Sequence, residues 1–111
     1  MTSYWTEYKM PSLGGRVKLP KAAGVYVIYF DGRPVYVGQS FSVAGRIPGH
    51  RFRYGYARNI YTPWGVIPDS INVTVKVKLS RRLGDWAMWE IRLIARLQPE
   101  FNQQHLSRRA A

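Results

Sequence analysis

Alternating apolar and polar side chains predict strands in three parts of this 111-residue chain. Residues 71–78 alternate cleanly, which is typical of an antiparallel strand with one buried face. Residues 25–30 and 35–37 are rich in β-branched and aromatic side chains, and Asp31-Gly32 between them marks a hairpin turn. The pattern therefore predicts a three-stranded antiparallel sheet.

A change to helical spacing follows the third predicted strand. The apolar residues of segment 85–98 recur at helical intervals, and Pro99 ends the segment. We expect this helix region to begin near Ser80, with a first turn broken at Gly84.

A second, shorter helix is predicted from Ser40 to Arg46, with Ser40 or Ser42 as its N-cap and Ile47-Pro48 at its end. Residues 1–23 contain several Pro and Gly breakers and are expected to be irregular. The chain shows no repeat or linker. We therefore expect one α+β domain over residues 1–111, a small three-stranded antiparallel sheet flanked by helices.

Glu90 is the acid that stands out in the longer helix. At about 100° per residue, it lies at the centre of an apolar stripe formed by Trp86, Ala87, Leu93, Ile94 and Leu97. Burial of an unpaired carboxylate costs several kcal/mol. A metal ion, an arginine or a raised pKa is therefore expected to compensate at Glu90.

The composition limits the kinds of metal site that the chain can form and the cellular compartment expected for it. The chain has no cysteine and two histidines, which excludes thiolate zinc sites and all-histidine zinc sites. Any metal is then expected to be a hard divalent ion on oxygen ligands. No secretory signal and no apolar run of membrane-spanning length is visible, so we expect a cytoplasmic protein and no membrane partner.

The charge points to a polyanionic partner. Seventeen Lys and Arg residues against six acids give a formal net charge of +11, and twelve of the seventeen are arginine. Arginine matches phosphate with two parallel hydrogen bonds, and aromatic residues are interleaved with the arginines here. Nucleic acid is therefore favoured over an anionic membrane or a merely basic soluble protein.

The segment 46–58 combines these two residue types most densely. Its cations would contact phosphates and its aromatics would stack on bases or support the loop, although a surface loop packed on the sheet is the alternative. The residues expected to contact DNA are Arg46, Arg51, Arg53, Tyr54, Tyr56 and Arg58. Further cations that would extend this contact are Lys76, Lys78, Arg81, Arg82, Arg108 and Arg109. We expect backbone-directed binding that weakens steeply with salt.

Two tripeptides carry a family resemblance. Gly24-Val-Tyr26, followed after nine residues by Tyr36-Val-Gly38, resembles the signature of the GIY-YIG nucleases. The later residues of the pattern follow in the family's order and approximate spacing: Arg46, His50, Glu90 and Asn102. The resemblance covers about residues 20–104, with Val25 and Val37 in place of the isoleucines.

The resemblance implies an endonuclease that hydrolyses DNA at a single Mg²⁺, for which Mn²⁺ can substitute. By this resemblance Glu90 is the metal ligand, Arg46 stabilises the pentacoordinate phosphate and Tyr26 is the general base. Tyr36 and His50 assist, and Asn102 is a positioning residue. Many relatives carry separate DNA-binding domains that are not seen here, which leaves the target open.

Two points of the implied site stay open at the level of sequence. A tyrosine with a pKa near 10 is a poor base, whereas His50 with a pKa near 6.5 is an easier one. The hairpin must also place Tyr26 and Tyr36 on one face of the sheet. A two-residue turn would pair Phe30 with Arg33 and separate the tyrosines, so we expect a three-residue loop that pairs Tyr29 with Arg33.

Other functions are compatible with the same residues. A catalytically inactive, basic nucleic-acid-binding module on the same scaffold is the main alternative, and a basic ribosomal or membrane-surface protein is a weaker one. Tyr26 and Tyr36 would then be packing aromatics, and Asn102 would bond to a neighbouring backbone. Cutting both strands of a duplex would need two sites, which makes a homodimer a further expectation to test.

Overall fold

The computed structural model describes residues 5–11, 15–47 and 66–102. It is an α+β fold with a four-stranded antiparallel sheet, not the three strands predicted. The elements, in chain order, are β1 (Thr6–Lys9), β2 (Gly24–Phe30), β3 (Arg33–Ser40), α1 (Val43–Arg46), β4 (Val73–Leu79) and α2 (Leu83–Leu97). The strands are ordered β1-β4-β2-β3, so β3 is an edge strand.

Strand β1 corrects the prediction that residues 1–23 are irregular. Its four residues pair with β4, from Thr6 opposite Val77 to Lys9 opposite Thr74. Three of the four side chains are exposed, and Tyr8 is half-buried. Such a strand has no marked apolar periodicity, and it forms because β4 offers an unpaired edge.

The two faces of the sheet are covered differently. The face that carries Tyr26 and Ile28 (the Tyr26 face) packs with α1 and loop residues into the main hydrophobic core, to which Leu19, Val43 and Ile47 contribute. The opposite face (the α2 face) carries a buried group of valines under α2: Val25, Val27 and Val37. Helices therefore flank the sheet on both sides.

The β2–β3 hairpin has a two-residue turn, so the predicted three-residue loop is wrong. Asp31 (φ 50°) and Gly32 (φ 81°) both have positive φ, as in a type I′ turn, and Phe30 pairs with Arg33. A register shift between Ile28 and Tyr29 then inserts one extra residue in β3. The shift lies beside Pro34, which cannot donate a ladder hydrogen bond. The extra residue shifts the pairing by one position, which brings Tyr36 onto the same face of the sheet as Tyr26.

Helix α1 is shorter than predicted because Ser40 belongs to β3. Ser42 is the N-cap, and its Oγ accepts a hydrogen bond from the Gly45 backbone N–H at 3.3 Å. The Ser40 hydroxyl donates to the Ser42 carbonyl at 2.8 Å, which ties the strand end to the helix start.

Helix α2 starts later than Ser80 and is not broken at Gly84. The Trp86 indole donates to the Ser80 carbonyl at 2.7 Å, and the Ser80 hydroxyl donates to Asp85 at 3.3 Å. The helix ends at Gln98, whose left-handed backbone (φ 47°) precedes Pro99. The predicted stripe is mostly confirmed, because Trp86 is buried and Leu93, Ile94 and Leu97 are half-buried. Ala87 is exposed, so the buried face is shifted around the helix towards the half-buried Trp89. Within the described ranges, no helix is long and apolar enough to cross a membrane.

Candidate active site at the edge of strand β3

Tyr26 and Tyr36 lie on the same face of the sheet, as predicted. Tyr26 pairs with Gly38, and Tyr36 lies two residues before Gly38 on β3. Their ring centroids are 6.2 Å apart and the rings are tilted by 36°. Tyr26 is 1% exposed, whereas Tyr36 is half-buried. The pair is diagonal rather than directly opposite, because the bulge shifts the register.

Gly38 allows the Tyr26 ring to reach the edge of the sheet. A Cβ at residue 38 would overlap the hydroxyl oxygen and Cζ of Tyr26. The ring therefore lies across the Gly38 backbone, and only glycine leaves room for it. Gly24 has a similar role on the other side of β2, where a Cβ would collide with the Lys78 carbonyl. Both signature glycines thus serve close packing.

Arg46 reaches the Tyr26 hydroxyl from the end of α1. Its side chain is hydrogen-bonded to Tyr26, with the guanidinium as donor. The helix that carries it is fastened to the preceding loop, because the Val43 and Ala44 N–H groups donate to Ala22 and Pro20 at 3.0 Å. The cation is therefore presented from a fixed backbone.

The surroundings of Tyr26 keep its hydroxyl protonated. Burial raises the pKa of Tyr26 well above its usual value near 10, and the neighbouring Tyr36 and Glu90 raise it further. Arg46 lowers the pKa through its charge and hydrogen bond, but burial is the larger effect. The sequence-based condition for Tyr26 as a base, a pKa lowered by Arg46, is not met in the protein alone.

Glu90 approaches the same strand edge from the α2 face. It is half-buried, and its Oε1 accepts a hydrogen bond from Nε2 of Gln39 at 3.1 Å. Gln39 directly follows Gly38, so adjacent residues of β3 contact the tyrosine and the carboxylate. Sequence reasoning missed Gln39. Its position could have indicated a role, because Gln39 is a polar residue that directly follows the signature glycine and lies on the opposite face of the strand.

Asn102 closes the outer edge of β3 at Val37. Its Oδ1 accepts from the Val37 N–H at 2.7 Å and its Nδ2 donates to the Val37 carbonyl at 3.0 Å. Both groups are buried, and Val37 lies between Tyr36 and Gly38. Asn102 thus replaces a neighbouring strand and holds the segment that carries the site.

The structure describes only some of the residues predicted to contact DNA. The proposed contacts from segment 46–58, other than Arg46, lie outside the described residues: Arg51, Arg53, Tyr54, Tyr56 and Arg58. The same holds for His50, Arg108 and Arg109. Lys76 and Lys78 lie on the α2 face, on the side of the sheet opposite Tyr26 and Tyr36, and the Lys76 Nζ lies over the Tyr29 ring. Lys78 is 4.3 Å from the Trp89 ring centroid and 5.7 Å from that of Trp5.

The donor set limits the kind of metal that could bind. Across the described ranges, no three His, Asp or Glu side chains form a group that could hold a metal ion. Glu90 supplies one carboxylate at the strand edge. This fits a Mg²⁺-like ion, which typically takes one or two carboxylates and fills its remaining positions with water and substrate phosphate. It does not fit a cage built from protein ligands.

Comparison with known proteins adds no relative: no protein-family model, curated protein or solved structure matches this chain.

Proposed function

We propose that this chain is a divalent-metal-dependent endonuclease that hydrolyses phosphodiester bonds in DNA at the β3 edge. The observation that carries the proposal is the convergence of three groups there. Tyr36 lies beside Tyr26, Arg46 is hydrogen-bonded to it, and the charge of Glu90 is close enough to raise its pKa. They are the residue types that phosphoryl transfer needs, and they come from three separate elements.

In this proposal Arg46 places positive charge where negative charge develops on the phosphate. A positioned donor of this kind is typically worth about 10²- to 10³-fold in rate. A divalent ion at Glu90 would supply Lewis acidity and orient the scissile phosphate. Gln39 keeps the Glu90 carboxylate turned towards the strand edge.

The hydroxyl of Tyr26 is assigned an orienting role rather than that of the base. With its pKa raised, it keeps its proton at neutral pH and can donate to a phosphate oxygen or a water. A histidine side chain titrates near pH 6.5 when unperturbed, which makes His50 the better candidate for the base. Its position in the sequence, four residues after Arg46, supports this assignment.

The test is cleavage of supercoiled plasmid, single-stranded DNA and branched DNA with Mg²⁺ and with EDTA. We expect cleavage that EDTA abolishes and that Glu90→Gln lowers by at least about 100-fold. Glu100→Gln is the matched control, because Glu100 is an exposed acid whose partner Arg33 is at 4.0 Å. Its activity should equal that of the wild type.

Undiminished cleavage by Glu90→Gln would overturn the assigned site. If no substrate is cut, the proposal still predicts a Mg²⁺-dependent rise in melting temperature that Glu90→Gln lacks. Absence of both, with DNA binding retained, would identify an inactive nucleic-acid-binding module instead. Linear product that increases with the square of protein concentration would indicate two copies acting together.

A further inference from the structure

A basic groove lies beside the candidate site, on the Tyr26 face. Residues 15–21 run alongside α1 and leave an open groove of about 650 Å³. Its lining includes three cations and an apolar floor: Arg16, Lys18, Lys21, Leu19, Ala44 and Ile47. The sequence pattern predicted an irregular segment here and assigned it no function.

The backbone of this groove is held in place by the core. Burial alternates along the segment: Leu19 is buried and Val17 packs against the core, whereas Arg16 and Lys18 are exposed. The Ala44 N–H donates to the Pro20 carbonyl at 3.0 Å, which fastens the segment to α1. The cations therefore project from an ordered wall.

Acids are rare in the part of the sequence that forms the groove. Between residues 8 and 68 the sequence has nine Lys and Arg residues and one acid, Asp31. Asp31 lies in the turn at the far end of β2, seven residues from Gly24 and so about 23 Å along the strand. The groove residues named above include no acid, which favours a polyanionic ligand.

Helix α1 connects the groove to the candidate site. Ala44 and Ile47 line the groove, and Arg46 on the same turn bonds to the Tyr26 hydroxyl. One helical turn spans about 5.4 Å. We propose that the groove binds the phosphates of the DNA strand that flank the bond held at the site. The apolar floor would contact the sugars. This inference rests on the proposed function for its ligand, but DNA binding can be tested without cleavage.

The experiment compares two triple variants in EDTA, where nothing is cut. The groove variant carries Arg16→Gln, Lys18→Gln and Lys21→Gln. The control carries Lys9→Gln, Arg92→Gln and Arg96→Gln, which change exposed cations of β1 and α2. Each set removes three charges, so both lower the formal net charge from +11 to +8. Duplex affinity is measured by fluorescence anisotropy from 50 to 300 mM salt.

The slope of log K against log salt is negative, and we expect the groove variant to reduce its magnitude by about 2 to 3, since each lost phosphate contact removes about 0.9. The control should lower it by less than about 1. Equal slopes for the two variants would overturn the proposal that the groove binds DNA phosphates. If the groove triple does not fold, Lys18→Gln/Lys21→Gln against Arg92→Gln/Arg96→Gln gives the same comparison.

A direct contact can be tested because the chain has no cysteine. Lys18→Cys and, as control, Arg92→Cys each introduce a single thiol. DNA with a thiol-reactive group tethered to a backbone phosphate should crosslink to Lys18→Cys at least tenfold faster. Equal rates would contradict the proposal. If the wild type cuts DNA while the groove and control variants behave alike, only the proposal that the groove binds DNA is refuted.

If the wild type binds DNA through the groove but never cuts it, only the proposed nuclease activity is refuted.

Discussion

Single residues decide whether the tyrosine hydroxyl reaches the strand edge. The Tyr26 ring occupies the space that a side chain at residue 38 would need, and its hydroxyl meets Arg46 there. Gln39, the next residue, holds Glu90 from the other face. A motif that looks like ordinary strand sequence thus places two kinds of chemistry on two sides of one backbone segment.

Gly38→Ala should displace the Tyr26 ring and lower both stability and activity. Overpacking of this kind costs about 1–3 kcal/mol, which urea denaturation will measure. Gly84→Ala is the control, because nothing lies within 4 Å of a Cβ there and alanine favours a helix. Equal stability of Gly38→Ala and the wild type would show that the ring does not depend on the glycine.

The raised pKa of Tyr26 predicts a pH dependence of stability. The unfolded chain releases this proton near pH 10, before the folded chain does, so the free energy of unfolding falls as the pH rises above about 10. Below that pH the contribution is fully present. Tyr26→Phe removes it, and urea titrations at pH 8 and 10.5 should show a smaller decrease for the variant. An identical decrease would mean that Tyr26 does not hold its proton more tightly when folded.

Gln39→Leu should weaken metal binding without unfolding the protein. The variant removes the hydrogen bond that orients Glu90, and loss of such a contact typically costs about 10- to 100-fold in metal affinity or activity. The Mg²⁺ concentration for half-maximal cleavage should rise accordingly, while the melting temperature stays within a few degrees of the wild type. An unchanged Mg²⁺ requirement would assign Gln39 to packing only.

At the scale of elements, β3 is defined by its irregularities. The bulge beside Pro34 brings Tyr36 onto the Tyr26 face, and Asn102 satisfies the outer backbone groups of Val37. An edge strand would otherwise present unpaired groups to solvent or to another chain. The candidate site lies beside the one edge position, Val37, whose backbone groups Asn102 satisfies.

Asn102→Leu should therefore destabilise the strand edge. It leaves the N–H and carbonyl of Val37 buried without these partners, at a cost of about 1–3 kcal/mol for each group. Hydrogen exchange of the Val37 amide should accelerate, and the melting temperature should fall. Asn72→Ala, at an exposed asparagine, is the control. Unchanged exchange at Val37 would contradict this role.

At the scale of the whole molecule, charge is unevenly distributed. Residues 69–111 have eight cations and four acids, whereas residues 8–68 have nine cations and one acid. The basic half carries the groove, α1 and Arg46, and the remaining acids, Glu90 included, come mainly from the other half. The molecule thus combines an excess of positive charge with a single carboxylate at the proposed site.

DNA affinity should fall steeply with salt as a result. Six phosphate contacts would lower the affinity by about 10³-fold between 50 and 200 mM salt. Filter binding with a duplex of random sequence will measure the dependence. A decrease below tenfold would indicate that binding does not rest on phosphate contacts.

Much of the framework followed from local patterns. The strands β2 and β4, the hairpin position and helix α2 were all visible in the periodicity of apolar residues. Strand β1 was missed because three of its four side chains are exposed. The predicted turn length was wrong because the irregularity that brings the tyrosines onto one face is a bulge within β3 and not an extra loop residue. Ala87 was wrongly assigned to the buried face of α2. The helical angles show which residues share a face, but the packing that half-buries Trp89 decides how far that face is rotated.

The sequence by itself determined the α+β class, three of the four strands, the positive charge and the candidate residues, because these depend on local periodicity and composition. Only the tertiary structure decided the bulge in β3, the contact of Tyr26 with Gly38, the Gln39–Glu90 bond and the clamp by Asn102. These features join residues up to 65 positions apart. Their geometry depends on how the elements pack, and no local pattern carries that information.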